Sequence, residues 1–375
     1  MEATLKLVVK SILILSGDEK YQLFSLQKAL LNLVGLDFFQ NGPQIRMIPH
    51  FVKHKIYPLM FPMWMISIAI LVLKHVSSNQ PLTQFEFIKQ INGIIVSMTF
   101  FAASFKFFIF FIFGKSFKEL FIETEQLGVI HADNVKLQFH IKTCVGYTTL
   151  VASNLGTWVA WFYLKHDDEP FDAAYPWEDK GFGRLLTYFF GFFAATFCAI
   201  CHTLVDTAFQ MMVAGIIIHI DSVAEKLSLV GSGKIKDRHA MSEIYEKHVK
   251  LLRVANNFSR GYSNLFVAQS VYTVGHSCVL LFGAAHVDDR VEIAMSQGTM
   301  LMTSYMQLLI YCYYGELLTS KFSGLLFDSY NNEWYECDMA VKKDLGRFAL
   351  MCHKHISLRG FGNVHPSKSN WLHVS

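Results

Sequence analysis

The residues best suited to chemistry stand close together in one apolar stretch. Cys198-Ala-Ile-Cys201-His202 has the C-x-x-C-H spacing by which c-type haem is attached. Attachment needs a water-accessible domain with a downstream axial ligand, and this pentapeptide lies inside an apolar helix that offers neither. Two packed thiols and a histidine turned toward neighbouring helices are the better account. The chain holds 16 histidines, yet no two sit at i, i+4 on a span with an acidic partner and no paired C-x-x-C exists, so no metal is expected. Cys352, His353 and His355 read as part of a basic, solvated tail. Gly-x-Ser-x-Gly, His-Glu-x-x-His and a Gly-rich phosphate loop are all absent. Neither an enzyme nor a cofactor is therefore expected. Seven cysteines, an odd number, exclude a simple disulfide framework.

Four ionisable residues interrupt apolar sequence: Lys106, His202, Asp206 and His276. Each is costly in hydrocarbon and so must face protein or water. Lys106 and Asp206 fall at similar depth in their stretches, which predicts a structural ion pair or polar cluster.

The elements that must position these groups follow from composition. The 375 residues are 52% hydrophobic and 17% charged, with 34 phenylalanines and a mean hydropathy of +0.31, whereas soluble proteins carry about 25% charged residues. So much apolar bulk needs lipid. A net charge of +3 is too small to suggest nucleic acid as a partner. A membrane-spanning helix needs roughly 20 apolar residues. Six such runs occur, at about Ile56 to Leu73, Ile91 to Phe113, Cys144 to Leu164, Leu185 to Ile220, Leu265 to Ala285 and Met295 to Leu318. The predicted fold is an all-α polytopic helical bundle. The fourth run is longer than a bilayer is thick and is expected to continue beyond the lipid as a packed helix. Leu5 to Leu15 is broken by Lys10 and lacks a small-residue cleavage site, so no cleaved leader is expected.

Lysine and arginine give the orientation. Residues 1–55, 114–140, 220–257 and 316–375 together carry 24 of them, and the alternate loops carry 4. The amino terminus is therefore expected in the cytoplasm. That is the reverse of a G-protein-coupled receptor, and Asp/Glu-Arg-Tyr and Asn-Pro-x-x-Tyr are both missing. The sequon Asn257-Phe258-Ser259 falls on the cytoplasmic side and should stay unmodified. The outer loop Lys165 to Arg184 is acidic and contains Tyr175 and Trp177.

Helical spacings of three, four and seven suggest faces that line the outer halves of the spans. The candidates for contact with a ligand are Ile91, Ile95 and Met98 in span two, and Ser153, Thr157 and Trp158 in span three. Spans four to six add Phe189, Phe193 and Thr196, then Tyr272 and His276, then Met302. A dry pocket of this kind suits a small volatile or lipophilic molecule. Burying about 250 Å² of ligand gives roughly 6 kcal/mol at 25 cal/mol per Å², which after association costs implies about micromolar or weaker affinity.

The run Tyr305-Met-Gln-Leu-Leu-Ile-Tyr-Cys-Tyr-Tyr-Gly315-Glu-Leu-Leu-Thr-Ser, followed by Ser329-Tyr330 and Glu333-Trp334-Tyr335, resembles the carboxy-terminal signature of insect odorant receptors. Ala173-Ala-Tyr-Pro-Trp-Glu resembles that family's outer loop, and Leu204-Val-Asp206-Thr207 with Val213 to Ile220 resembles the end of its fourth helix. The amino-terminal half agrees in pattern only, through an amphipathic segment Leu23 to Phe39 ahead of the first span. The Thr-Tyr and distal Gln-Phe of the gustatory relatives are not found. The apolar runs and the charge asymmetry divide one polytopic domain, odorant-receptor-like by this resemblance, into a cytoplasmic segment 1–55, a six-span bundle 56–318, and a cytoplasmic anchor helix and polar tail 319–375, where the family itself has seven spans. The resemblance further implies the ligand-binding subunit of an odorant-gated cation channel, forming a heterotetramer with an olfactory co-receptor in the plasma membrane of sensory-neuron dendrites. Membrane lipid and a small-molecule odorant are its other partners. The subunit anchor would include Asp206, Tyr311, Tyr313, Gly315, Tyr330 and Trp334.

The resemblance weakens at the end. The family continues past the equivalent of Lys342-Lys343 into a seventh, pore-lining helix, whereas residues 339–375 contain no apolar run longer than Phe348-Ala-Leu-Met351. The alternative expectation is thus a nonconducting splice variant or truncated receptor-like protein that assembles and binds without supplying its share of the pore.

Overall fold

The computed structural model describes residues 57–78, 84–128, 130, 134–166, 175, 181–286 and 290–353, together with Gln27. The predicted segment Leu23 to Phe39 (Gln27 apart), most of the outer loop Lys165 to Arg184, and the tail beyond His353 lie outside these residues. Among the described residues every regular element is helical. The helices are α1 (Tyr57–Ser78), α2 (Gln84–Ile112), α3 (Gly114–Glu125), α4 (Val135–His166), α5 (Phe182–Ser228), α6 (Asp237–His286), α7 (Arg290–Asp328) and α8 (Met339–Cys352), with a 3₁₀ turn at Trp334–Glu336 before α8.

Each of the six apolar runs overlaps one helix, in order α1, α2, α4, α5, α6 and α7. By length and composition, three stretches are long and apolar enough to cross a membrane among the described residues: Glu86–Ile112, Phe182–Ser228 and Asp237–His286. The fourth run does extend into a longer helix. With 47 residues, α5 is about 70 Å long at 1.5 Å per residue.

α5 is the axis of the fold, packing against α1, α2, α3, α4, α6 and α7. Its two halves face different surroundings. The first half turns Phe182, Leu185, Phe189 and Phe192 outward, as suits a surface in contact with lipid. From Cys201 to Ile220 every residue is buried, including His202, Asp206, Gln210 and His219, polar groups that must face protein rather than lipid.

Local signals set the boundaries. Asn134 opens α4, its Oδ1 accepting from the amides of Lys136 at 3.0 Å and Leu137 at 3.2 Å. Asp338 caps α8 in the same way, accepting from Val341 N at 2.8 Å. Pro62 lies inside α1, where it cannot donate to the preceding turn; the hydroxyl of Ser104 on α2 donates to the Pro62 carbonyl at 3.4 Å. The turn between α5 and α6 contains Gly231 at φ 83°, pressed against the Glu333 backbone.

No long apolar run marked the sequence after residue 339, yet Met339–Cys352 forms a helix. Val341, Leu345, Phe348, Ala349 and Cys352 are buried on α8, a helical periodicity rather than a run. Phe348 packs edge-on to Tyr245 (5.8 Å between ring centroids) and His248 (4.9 Å) of α6, and Tyr245 OH donates to the Asp344 carbonyl at 2.9 Å.

Candidate functional site

A cavity of about 90 Å³ lies among α2, α4, α5, α6 and α7. Each helix supplies one face at helical spacing: Val96, Thr99 and Phe100 from α2; Val151, Asn154 and Leu155 from α4; Ala195, Cys198, Ala199 and His202 from α5; Tyr272 from α6; Met300, Thr303, Ser304 and Gln307 from α7. The wall is mostly apolar, and alanines at 195 and 199 leave the space that larger residues would fill.

The polar groups on this wall are largely engaged with one another. Asn154 Nδ2 donates to Thr303 Oγ1 at 2.8 Å. Thr99 donates to the Ile95 carbonyl, so Tyr272 OH, 2.9 Å from Thr99 Oγ1, is the donor of that pair. His276 Nδ1 lies 3.1 Å from Ser304 Oγ. Two polar atoms of the wall meet no hydrogen-bond partner among the described residues, Asn154 Oδ1 and His202 Nε2.

Directly beneath the cavity lies the cluster that the apolar-stretch ionisables predict. Lys106 and Asp206 pair at 2.9 Å, both essentially inaccessible to solvent. The Asp206 carboxylate also accepts from Tyr311 OH at 2.8 Å and Tyr147 OH at 2.7 Å. Lys106 Nζ reaches His202 Nδ1 at 3.2 Å and lies 5.8 Å from the centre of the Tyr311 ring. Gln269 Nε2 donates to Gln307 Oε1 at 2.8 Å, and Gln307 Nε2 to Tyr147 OH at 2.9 Å. Five helices are thereby tied together around one carboxylate. His202 and Gln307 belong both to this cluster and to the cavity wall.

Of the twelve candidates read from the sequence, the structure places Tyr272 on the cavity wall, with His276 one hydrogen bond behind it. Ile91 and Ile95 are buried on α2, and Met98 packs on Gly275 of α6. Ser153 and Thr157 are exposed and bond within α4. Trp158 lies on α4 with its side chain outside the described residues. Phe189 and Met302 face outward, Phe193 stacks on Trp64 with ring centroids 5.0 Å apart, and Thr196 bonds its own helix at Phe192 O. Asn154, His202, Thr303, Ser304 and Gln307 were not among the candidates. Polar side chains inside apolar runs are the signal that points to them.

Of the anchor residues, Asp206 and Tyr311 are bonded to each other in the chain's own core, and Gly315 is buried. Tyr313, Tyr330 and Trp334 have exposed rings. Cys198 and Cys201 are buried free thiols. Asn257 of the sequon donates to Glu123 Oε2 at 3.1 Å.

A second cavity, about 370 Å³, lies between the end of α2, α3 and α6, with Phe113, Phe117, Glu119, Glu123 and Arg260 on its wall. Its charged lining differs from the mostly apolar wall of the first; Glu123 there is paired with Arg253 at 2.9 Å.

Comparison with known proteins agrees with this architecture. No curated protein is significantly similar in sequence. The fold is similar to that of the insect olfactory receptor OR5 from Machilis hrabei, with a TM-score of 0.72 at 15% identity, covering 94% of this chain and 96% of the other. The same receptor in complex with eugenol matches with a TM-score of 0.75 at 15% identity, covering 95% and 96%. Residues 86–367 match the family profile described as 7tm Odorant receptor. With three quarters of its length inside that match, from α2 through α8, the chain belongs to the odorant receptor family.

Proposed function

We propose that this chain is the ligand-binding subunit of an odorant-gated cation channel, assembled with an olfactory co-receptor in the plasma membrane of sensory neurons. Its domain is a single polytopic unit, with residues 1–55 and 319–375 on the cytoplasmic side. The odorant site in this reading is the cavity among α2, α4, α5, α6 and α7. The observation that carries it is the convergence of five helices on one mostly apolar space, with polar groups few and placed. The Machilis receptor, similar in fold, has been seen with eugenol, and a small apolar site suits ligands of that class.

Filling the cavity tests the assignment. Ala199→Trp places a large ring in a space of about 90 Å³, so odorant-evoked current in cells expressing the chain with a co-receptor should fall at least about tenfold while surface delivery is retained. A normal odorant response from Ala199→Trp would place the ligand elsewhere. Current from the wild-type pair also distinguishes a conducting subunit from a silent assembly partner.

A further inference from the structure

The second cavity, about 370 Å³, falls within the range of small-molecule clefts, roughly 300–1,000 Å³. It lies where two apolar runs leave the hydrocarbon: that of α2 ends at Phe113 and that of α6 begins at Leu265. Its lining is mixed accordingly. Ile109, Phe113 and Phe117 contribute apolar surface, and Phe113 is half exposed. The charged lining residues are Glu119, Glu123 and Arg260.

These three charges are not equally engaged. Glu123 is satisfied, since Arg253 pairs with its Oε1 at 2.9 Å and Asn257 donates to its Oε2 at 3.1 Å. Glu119 on α3 and Arg260 on α6 are exposed and have no hydrogen-bond or ion-pair partner among the described residues. A carboxylate and a guanidinium thus line one space from two helices without meeting. Glu119 disfavours a ligand that is only an anion, and Arg260 one that is only a cation. A ligand with both charges on separate atoms satisfies both walls, and a guanidinium suits phosphate by its forked geometry. We propose that this cavity binds a zwitterionic phospholipid, with its phosphate on Arg260, its ammonium on Glu119 and its acyl chains against Ile109 and Phe113. The apolar lining at the hydrocarbon boundary is what favours a lipid over a soluble phosphate ester. The headgroup lies in the cytoplasmic leaflet if residues 114–140 and 220–257 face the cytoplasm, as their lysines and arginines indicate. The site is separate from the odorant cavity and does not depend on where the odorant binds.

Competitive photolabelling tests the assignment. A phosphatidylethanolamine with a diazirine in its acyl chain is crosslinked to the detergent-solubilised full chain, and displacement of label from residues 109–123 by unlabelled competitors gives affinities at this site alone. Three competitors share dioleoyl chains: phosphatidylethanolamine carries both charges, phosphatidylglycerol the phosphate alone, and diacylglycerol neither. An exposed ion pair contributes up to about fivefold to an equilibrium constant. Arg260→Gln should therefore weaken phosphatidylethanolamine and phosphatidylglycerol alike, by about two- to fivefold. Glu119→Gln should weaken phosphatidylethanolamine by a similar factor but strengthen phosphatidylglycerol, because the carboxylate that repels a lone phosphate is gone. A damaged fold cannot produce that gain. Diacylglycerol should compete equally in all three proteins. Absence of label from residues 109–123 would overturn the proposal, and so would diacylglycerol matching phosphatidylethanolamine in the wild-type chain. Chain-free glycerophosphoethanolamine competing as well as the diacyl lipid would overturn it too, by making the occupant a soluble ester. Affinities for phosphatidylethanolamine left unchanged by both substitutions would do the same for the two named contacts.

Discussion

Replacing Asp206 by Asn should be among the most damaging single changes this chain can suffer. The carboxylate is fully buried and takes hydrogen bonds from Lys106 at 2.9 Å, Tyr311 at 2.8 Å and Tyr147 at 2.7 Å. Asparagine keeps the shape and an acceptor oxygen but leaves the Lys106 ammonium, 1% accessible, without a counter-charge. Breaking a buried pair in this way costs about 3–5 kcal/mol. Lys106→Met should cost less, since both tyrosines still hold the carboxylate. Combining the two removes both charges, and the double variant should be more stable than Asp206→Asn alone.

The size of the effect in a melting experiment follows from chain length. At roughly 2.1 cal/mol/K per residue, 375 residues give an unfolding entropy of roughly 0.8 kcal/mol/K. A loss of about 3–5 kcal/mol then lowers the midpoint by about 4–6 °C if the chain melts as one unit. Fluorescence-detected size exclusion of the heated, detergent-solubilised full chain reads a shift of that size. An Asp206→Asn midpoint within about 1 °C of wild type would refute the reasoning, as would a double variant that melts below Asp206→Asn, because the charges would then not be coupled.

Two glycines on α2 and α6 should respond oppositely to alanine. A Cβ on Gly93 would meet Val72 Cγ1 at 2.9 Å and Val76 Cγ2 at 3.3 Å, both on stiff β-branched side chains of α1, so Gly93→Ala should cost about 1–3 kcal/mol by overpacking; on Gly275 it would meet only the flexible tip of Met98 at 2.6 Å, and Gly275→Ala should melt close to wild type in the same assay. Gly231→Ala combines a φ of 83° with a Cβ placed 2.1 Å from the Glu333 carbonyl oxygen. The left-handed backbone alone costs about 1–2 kcal/mol, and the clash should lift the α5–α6 turn off the segment before α8, read as faster amide exchange around Glu333 to Cys337. The Asp338 carboxyl is held below the ordinary carboxylate range, chiefly by the hydrogen bond from Val341 N and also by Arg238. Its capping contribution is therefore complete above that ordinary range and is lost as pH falls through its lowered folded value. Exchange protection of the first turn of α8 should drop in acid, and Asp338→Asn, which still caps, should abolish that pH dependence.

Much of this architecture was legible in residue order. Six apolar runs locate six helices, the excess length of the fourth run anticipates the buried second half of α5, and the matched depths of Lys106 and Asp206 anticipate their pairing. The α8 helix escaped a search for runs because its buried residues, Val341, Leu345 and Phe348, are separated by charged ones such as Lys342, Lys343 and Arg347. Cys198 and Cys201 are buried among the helices, as the sequence suggested, but the histidine next to them touches the ion cluster and belongs to the cavity wall. No local pattern reports that, since its partner Lys106 is 96 positions away.

The phase of the spanning helices was the feature that spacing could not provide. One residue is a rotation of about 100° on a helix, and while Tyr272 lies on the wall, candidates such as Ile95, Ser153 and Met302 stand one residue away from a wall position. On α7, Met302 is 54% exposed while Thr303 and Ser304 line the cavity; on α4, Ser153 faces out and Asn154 faces in. In water an apolar stripe identifies the inner face. Beside lipid the outer face is as apolar as the inner, so large aromatic and sulfur-bearing residues such as Phe189 and Met302 are as much at home outside. Unbonded side-chain polar groups are what hydrocarbon penalises. The phase is therefore better read from side-chain amides, hydroxyls and imidazoles that reach another helix: Asn154 to Thr303, Tyr272 to Thr99, Gln307 to Tyr147 and His202 to Lys106. Hydroxyls such as Ser153 and Thr157 can satisfy themselves on their own helix and carry no such information. Applied to this chain, that rule selects inward faces: those that enclose the cavity, and also pairs elsewhere in the bundle such as His140 with Tyr314 and Cys144 with Gln210.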